Sequence, residues 1–235
     1  MRASKELRVT RFILCLMLQL ASSVTLHAAE QGPYLYVLGV AQDAGYPQAG
    51  CYEPHCMPGW QDPKLRRGAT SVALVMPESG KKYLFEATPH LPSQLYFLEQ
   101  EAASADNDLA GVFLTHAHIG HYAGLMYLGH EAMGASGVPV YAMPRMTEYL
   151  KSNGPWSQLV AYENIALQPL DDRGIVPLGS VDVTPFLVPH RDEFSETVGY
   201  HIVGPEKSAI FIPDIDKWSE WDTDLVDVLL THIRA

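Results

Sequence analysis

Apolar residues along the chain fall mostly into short runs, and this pattern predicts a protein rich in β-strands. Two runs, at 70–76 and 81–87, are separated by Pro77-Glu78-Ser79-Gly80, and such turn residues predict a hairpin. The segment LAGVFLTHA at 109–117 is almost continuously apolar, which is typical of a buried strand. Further strands are predicted at 34–40, 138–143, 181–189, 197–203, 208–214 and 225–231.

Helical spacing of apolar residues is found in two segments, at 91–103 and at 120–134, and the second is expected to end near Gly134. Strands interleaved with so few helices favour a layered α/β sandwich over a doubly wound parallel sheet. The chemically reactive residues follow predicted strands at their ends. Open α/β folds gather ligand-binding groups at such strand ends.

Residues 1–29 have the features of a cleaved export signal. Four basic residues precede an apolar run from Phe12 to about Leu20, and small residues follow up to Ala28 and Ala29. The apolar run is too short to span a bilayer, which argues against the alternative of an uncleaved membrane anchor. We therefore expect the remaining domain, residues 30–235, in the periplasm or outside the cell, with no membrane contact after cleavage.

The charge of the chain argues against nucleic acid as a partner. The export segment carries four basic residues and one acidic residue, so 12 of the 16 basic and 26 of the 27 acidic side chains remain after its removal. An excess of 14 negative charges repels phosphate backbones. It also disfavours highly anionic substrates and leaves a small molecule as the expected partner, while the oligomeric state is not predicted.

Three of the ten histidines lie within six positions in the sequence THAHIGHYAGL, directly after a predicted buried strand. In a loop that leaves a strand, His116 and His118 can converge on one ion, while His121 points to a neighbouring position. Neutral imidazoles are ligands of zinc and similar metals. This density of histidines after a buried strand favours a metal site over a set of solvated side chains.

Two cysteines remain beyond the export segment, and they lie close together in the sequence CYEPHC. In an exported chain, Cys51 and Cys56 could form a disulfide. With His55 between them, they could equally hold a structural zinc ion. Both alternatives would tighten the Gly- and Pro-rich loop that contains them.

The histidine segment resembles the His-x-His-x-Asp-His metal-binding signature of the metallo-β-lactamase-fold hydrolases. Three further segments are similar to that family in the same order: YLFEATPH to the strand that ends in an acidic residue behind the site, LVPHR to the next histidine, and FIPDID to the bridging aspartate. The early segment VLGVAQDAGYPQAGC, with CYEPHC, resembles the branch that contains the pyrroloquinoline quinone biosynthesis protein B. The resemblance extends from about residue 34 to residue 231.

This resemblance implies a metallo-β-lactamase-like αββα four-layer sandwich and a set of metal ligands. His116, His118 and His190 would hold the first metal ion. His121 and Asp214 would belong to a second, and Asp214 would bridge both ions and serve as the catalytic carboxylate. Glu86 would lie behind the ligands and orient one of the histidines.

The sequence departs from the family pattern at two places. Gly120 stands where the family has aspartate, so we expect a weaker second metal site that Gly120→Asp would strengthen. Asp43 and His90 are candidate replacement ligands from other segments. The family also has a later histidine, and His232 follows the aspartate too closely to match it, so we expect the C-terminal half of the domain to be incomplete.

The expected activity is that of a metal-dependent hydrolase that uses a zinc-activated water on a small ester, lactone, amide or phosphoester substrate. One or two zinc ions are expected, with iron or manganese as alternatives. The competing hypothesis is a member of the family without hydrolytic activity, either a quinone-cofactor biosynthesis protein or a metal-binding protein without turnover. Gly120 and the short C-terminal half favour this second hypothesis.

Overall fold

Two β-sheets form the centre of the fold in the computed structural model, which describes residues 32–103, 109–221 and 227. The larger sheet has six strands: β1 (Tyr34–Gly39), β2 (Ser71–Met76), β3 (Lys81–Phe85), β4 (Leu109–Phe113), β5 (Val138–Ala142) and β6 (Ile165–Pro169). They neighbour one another in chain order. The β1–β2 and β2–β3 pairs are antiparallel, and the pairs from β3 to β6 are parallel.

The smaller sheet is antiparallel, and its strands also neighbour one another in chain order. It consists of β7 (Val176–Pro177), β8 (Asp182–Leu187), β9 (Val198–Val203) and β10 (Ser208–Phe211). The described α-helices are α1 (Met57–Gln61), α2 (Leu91–Glu101), α3 (Ile119–Tyr122), α4 (Pro144–Ser152) and α5 (Trp156–Ala161). Short 3₁₀ helices cover Pro63–Leu65, Ala123–Leu128 and Trp218–Glu220.

The larger sheet is buried on both faces because the side chains of its strands alternate between two apolar cores. In β2, Ala73 and Val75 belong to the core shared with the helices, whereas Leu74 and Met76 belong to the core shared with the smaller sheet. The buried apolar side chains of the α-helices all lie in the first of these cores. The predicted α/β sandwich is confirmed, and the described residues supply a helical layer and both sheets.

One predicted helix differs from the structure. The segment expected to be helical from 120 to 134 contains only the last three residues of α3, a 3₁₀ helix and turns. The amide of Gly124 donates to the carbonyl of Ala87 at 2.8 Å, and a Cβ at residue 124 would lie 2.1 Å from the carbonyl oxygen of Thr88. Hydrogen bonding to the end of β3 therefore replaces the helical pattern.

Several elements between residues 144 and 169 were not predicted. Helices α4 and α5 and strand β6 lie after the strand at 138–143, in a region for which the sequence predicted no element. Pro144 at the first position of α4 is a known helix-start signal. At the C-terminal end, only Asp227 of the strand predicted at 225–231 is described, and it is helical.

Residues 1–29, for which an export signal is predicted, lie outside the described residues. None of the helices in the described part of the chain is long and apolar enough to cross a membrane.

The aromatic side chains in the core between the two sheets generate a prediction for stability. Phe113 is fully buried and stacks on Tyr141 and Phe85, with ring centroids 4.3 Å and 4.9 Å away. Phe113→Ala should lower the free energy of unfolding by about 3–5 kcal/mol, because it leaves a cavity between the sheets. Urea denaturation measures the loss. Phe97→Ala, at a half-exposed position of α2, should change the free energy by less than about 0.5 kcal/mol, and equal losses would contradict this packing.

Candidate metal centre

The three clustered histidines lie in the segment of residues 114–121, here called the histidine loop, which leaves the end of β4 and includes the first three residues of α3. The smaller sheet holds this loop by two hydrogen bonds. The hydroxyl of Tyr200 donates to the carbonyl of Leu114 at 2.5 Å, and the amide of Val198 donates to the carbonyl of Thr115 at 3.2 Å. The loop therefore lies where the two sheets meet.

His190 and Asp214 reach the same place from the smaller sheet. His190 lies in the loop after β8 and Asp214 in the loop after β10. The two loops are joined, because the amide of Asp216 donates to the carbonyl of Pro189 at 2.9 Å. The Nδ1 atom of His190 also lies 2.9 Å from Oδ1 of Asp216.

Four side chains converge in what we call the first ligand group: His116, His118, His190 and Asp214. The Nδ1 atom of His118 lies 2.9 Å from Nε2 of His116 and 3.1 Å from Nε2 of His190. The Oδ2 atom of Asp214 lies 3.2 Å from Nε2 of His190 and 3.7 Å from Nε2 of His116. The structure thus brings together residues that are up to 98 positions apart.

The first ligand group fits a zinc ion in both chemistry and spacing. Imidazole nitrogens and a carboxylate oxygen are typical zinc ligands. Ligand atoms about 2.0–2.1 Å from a tetrahedral ion lie about 3.3 Å from one another. The distances between neighbouring ligand atoms in the group range from 2.9 Å to 3.7 Å and so bracket that value.

A second ligand group lies beside the first and shares Asp214 with it. It consists of Asp43, His121 and Asp214, which offer ligand atoms within 4.8 Å of one another. The Nε2 atom of His121 lies 3.7 Å from Oδ2 of Asp214. Asp214 therefore lies between two sets of potential ligands.

Glu86 lies behind both groups and holds the histidine loop. It is fully buried at the end of β3, in the left-handed region of the backbone map with φ +85°. Its Oε1 accepts a hydrogen bond from the amide of Thr115 at 3.0 Å, and its Oε2 lies 2.5 Å from Nδ1 of His121. Because Nδ1 of His121 contacts Glu86, the other ring nitrogen, Nε2, faces Asp214.

The surroundings of the histidines shift their pKa values in opposite directions. Burial, followed by the positive charges of His121, His118 and His190, lowers the pKa of His116 to about 2. This histidine is neutral at physiological pH, as a metal ligand must be. Burial alone would lower the pKa of His121, but the charge and hydrogen bond of Glu86, together with Asp214 and Asp43, raise it above its usual value.

Three contacts of the ligand histidines involve residues that the sequence did not reveal. Thr115 Oγ1 lies 2.9 Å from Nδ1 of His116, Asp216 contacts His190, and Glu193 Oε2 lies 3.2 Å from Nε2 of His118. Asp216 follows Asp214 by two positions, and Thr115 directly precedes His116. That adjacency is the signal that could have identified both, whereas nothing in the sequence connects Glu193 with the histidine loop.

His90 was predicted as an additional ligand, but it belongs to neither ligand group. Its Nδ1 accepts a hydrogen bond from the amide of Ala69 at 3.2 Å. Its ring also lies against Gly45, where a Cβ would be 2.3 Å from its Cε1 atom. His90 thus supports the loop that carries Asp43.

Cys51 and Cys56 form a disulfide, which is one of the two alternatives that the sequence left open. The Nε2 atom of His55 lies 3.7 Å from Sγ of Cys51. Ligand atoms of all three residues lie within 4.8 Å of one another. Zinc binding by these residues would require the reduced thiolates.

Comparison with known proteins places this geometry in a family. The model of the beta-lactamase superfamily domain matches residues 81–235. Coenzyme PQQ synthesis protein B of Rhodopseudomonas palustris (strain TIE-1) is 29% identical over 167 residues, which cover 66% of this chain and 52% of that protein. Ribonuclease Z of Crocosphaera subtropica is 25% identical over 152 residues, or 63% of this chain and 46% of that protein.

A solved structure shares the fold. The crystal structure of Zn²⁺-bound PqqB from Methylobacterium extorquens superposes with a TM-score of 0.65 and 24% identity, over 77% of this chain and 65% of that chain. The chain spans about half the length of the curated relatives it matches. The similarity to coenzyme PQQ synthesis protein B confirms the resemblance to the pyrroloquinoline quinone biosynthesis branch. The family model matches most of the chain, which shows that the chain belongs to the beta-lactamase superfamily.

Proposed function

We propose that this protein is a metal-dependent hydrolase that acts with zinc on a small ester, lactone, amide or phosphoester substrate. The observation that carries the proposal is the first ligand group, in which three imidazole nitrogens and a carboxylate oxygen converge at the spacing of a zinc site. Membership of the beta-lactamase superfamily and similarity to a ribonuclease Z support hydrolysis as the reaction class.

His116, His118 and His190 would hold the metal ion in this site, with Asp214 beside it, so that one ligand position is left for water. Zinc bound there would polarise a carbonyl or phosphoryl oxygen and make water acidic enough to attack near neutral pH. The low pKa of His116 keeps its imidazole neutral. Asp216 orients His190 through its Nδ1 atom, which is the usual role of a carboxylate behind a ligand histidine.

Asp214 is the residue to which we assign proton transfer. Its side chain is 17% exposed, and its Oδ2 atom is held near His190, His116 and His121 at 3.2 Å, 3.7 Å and 3.7 Å. A carboxylate held at the centre of the site can accept the proton that the attacking water loses and can orient that water.

The surroundings of the site favour small substrates with little negative charge. The chain carries a net charge of −11, and Glu193 adds a carboxylate beside His118. Ile119 directly follows His118 in the sequence, and Phe194 directly follows Glu193. Both side chains are apolar and about 60% exposed. They would contact an apolar part of the substrate.

We also propose that the protein is exported. The disulfide between Cys51 and Cys56 supports an oxidising compartment such as the periplasm or the exterior of the cell. Isolation of the mature chain and determination of its first residue would test it.

A second candidate is a role in quinone-cofactor biosynthesis without hydrolysis. The similarity to coenzyme PQQ synthesis protein B favours it. Metal analysis of the protein as purified, together with assays on a panel of esters, lactones, amides and phosphodiesters, separates the two. Bound zinc with turnover of any class supports the hydrolase, whereas redox-active iron without turnover on the whole panel supports the second candidate.

His118→Ala tests the first ligand group directly. Loss of this imidazole should reduce zinc affinity and hydrolytic activity by more than about 100-fold, because even the loss of a group behind a ligand costs about 10–100-fold. Competition with a chromophoric chelator measures the affinity. His130→Ala is the matched control, since His130 is exposed and lies outside both ligand groups. Equal zinc affinity in the two variants would contradict the assignment.

Asp216→Ala tests the support of His190. The variant should fold normally, since Asp216 is 39% exposed, and should bind zinc about 10–100-fold more weakly because the imidazole loses its partner at Nδ1. Glu220→Ala removes a carboxylate from the same region that is paired with Lys217, and it should leave the affinity unchanged. An unaltered zinc affinity in Asp216→Ala would contradict the role of Asp216 in orienting His190.

A further inference from the structure

The loop of residues 41–46, here called the Asp43 loop, follows β1 and is fixed at both ends. The carbonyl of Ala41 accepts hydrogen bonds from the amide and the hydroxyl of Thr70, at 3.0 Å and 3.1 Å. At the other end, Tyr46 and Arg67 exchange backbone hydrogen bonds at 2.9 Å and 3.0 Å. A loop anchored in this way presents Asp43 at a defined position.

The turn inside the loop directs the backbone toward the histidines. Asp43 has φ +44° and Gly45 has φ +101°, both in the left-handed region. The ring of His90 also lies so close to Gly45 that a Cβ at residue 45 would collide with it. Asparagine and glycine adopt such a conformation as easily as aspartate does, so the turn by itself does not require a carboxylate at position 43.

The Asp43 loop occupies the space in front of Gly120. A Cβ at residue 120 would lie 2.7 Å from the carbonyl oxygen of Asp43 and 2.8 Å from its carbonyl carbon. Contacts this short with backbone atoms require the main chain to move. Glycine at position 120 and the path of the Asp43 loop therefore depend on each other.

The same approach brings a carboxylate to the second ligand group. Asp43, His121 and Asp214 offer ligand atoms within 4.8 Å of one another. We propose that Asp43 is a ligand of a second metal ion, held with His121 and Asp214, and that it replaces the side chain that residue 120 cannot carry. This inference rests on the proposed function, since Asp214 is shared between the two groups.

The geometry contradicts the expectation that Gly120→Asp would strengthen the second site. The new side chain would collide with the backbone of Asp43 and displace the loop that carries the proposed ligand. We expect the variant to have a lower melting temperature and to bind no more zinc than the wild type. Differential scanning calorimetry and zinc titration measure both effects, and a stable variant with tighter binding of a second zinc ion would overturn the inference.

Asp43→Asn is the decisive variant, because asparagine preserves the turn and removes the charge. The metal-free, disulfide-bonded protein is titrated with zinc by calorimetry, without reductant, so that Cys51 and Cys56 do not contribute thiolates. The wild type should bind two equivalents. Asp43→Asn should keep the first equivalent and its melting temperature, and its affinity for the second should fall by at least about 10-fold. Gln42→Ala, an exposed change in the same loop, should behave as the wild type.

The outcomes separate this inference from the proposed function. Two equivalents with unchanged affinities in Asp43→Asn, or a single equivalent in the wild type, would overturn the inference and leave the hydrolase proposal standing. A wild type that binds no zinc would overturn both. Loss of the second equivalent in Asp43→Asn but not in Gln42→Ala supports Asp43 as a ligand.

Discussion

The buried carboxylate of Glu86 is the interaction on which the metal centre depends. It has no exposure to water and bonds two groups of the histidine loop, the amide of Thr115 and the imidazole of His121. Burial of an unpaired carboxylate would cost several kcal/mol, so both contacts are needed in the folded protein. The left-handed backbone at Glu86 adds a conformational cost that such surroundings must also offset. Together these constraints fix the distance between the end of β3 and the histidines.

The second constraint is the packing of the two sheets. Tyr200 belongs to the core between them, where its ring lies edge-on to Phe85 and Phe113, and its hydroxyl donates to the carbonyl of Leu114. The aromatic core is therefore continuous with the first residue of the histidine loop. Because His190 and Asp214 come from the smaller sheet and His116 from the larger one, the first ligand group exists only while the sheets keep this relative position.

Much of the fold and the site could be predicted from the sequence because the signals were local. The apolar runs in β2 and β4 predicted these two strands. The spacing of His116, His118 and His121 after a strand indicated the metal site. The pairing of these histidines with His190 and Asp214 rested on the resemblance, since single residues in loops carry no such information.

The errors have long-range causes. The helix expected after the histidines is interrupted because Gly124 bonds to Ala87, a contact across 37 positions that no local pattern reveals. His90 looked like a candidate ligand, but its partner is the backbone of Ala69. The choice between a disulfide and zinc at Cys51 and Cys56 was open because both need the same close approach of the two sulfur atoms. For the helix and for His90, the missing information was which distant segment is adjacent.

Gly120 shows the same principle at the site itself. Read as a motif, glycine at this position looks like the loss of a ligand. In three dimensions the position is filled by the backbone of Asp43, which arrives from a loop 77 positions earlier and brings a carboxylate with it. A metal ion responds to the position and charge of its ligand atoms, not to the segment that carries them. Absence of an acidic residue from the motif is therefore weak evidence for absence of the charge.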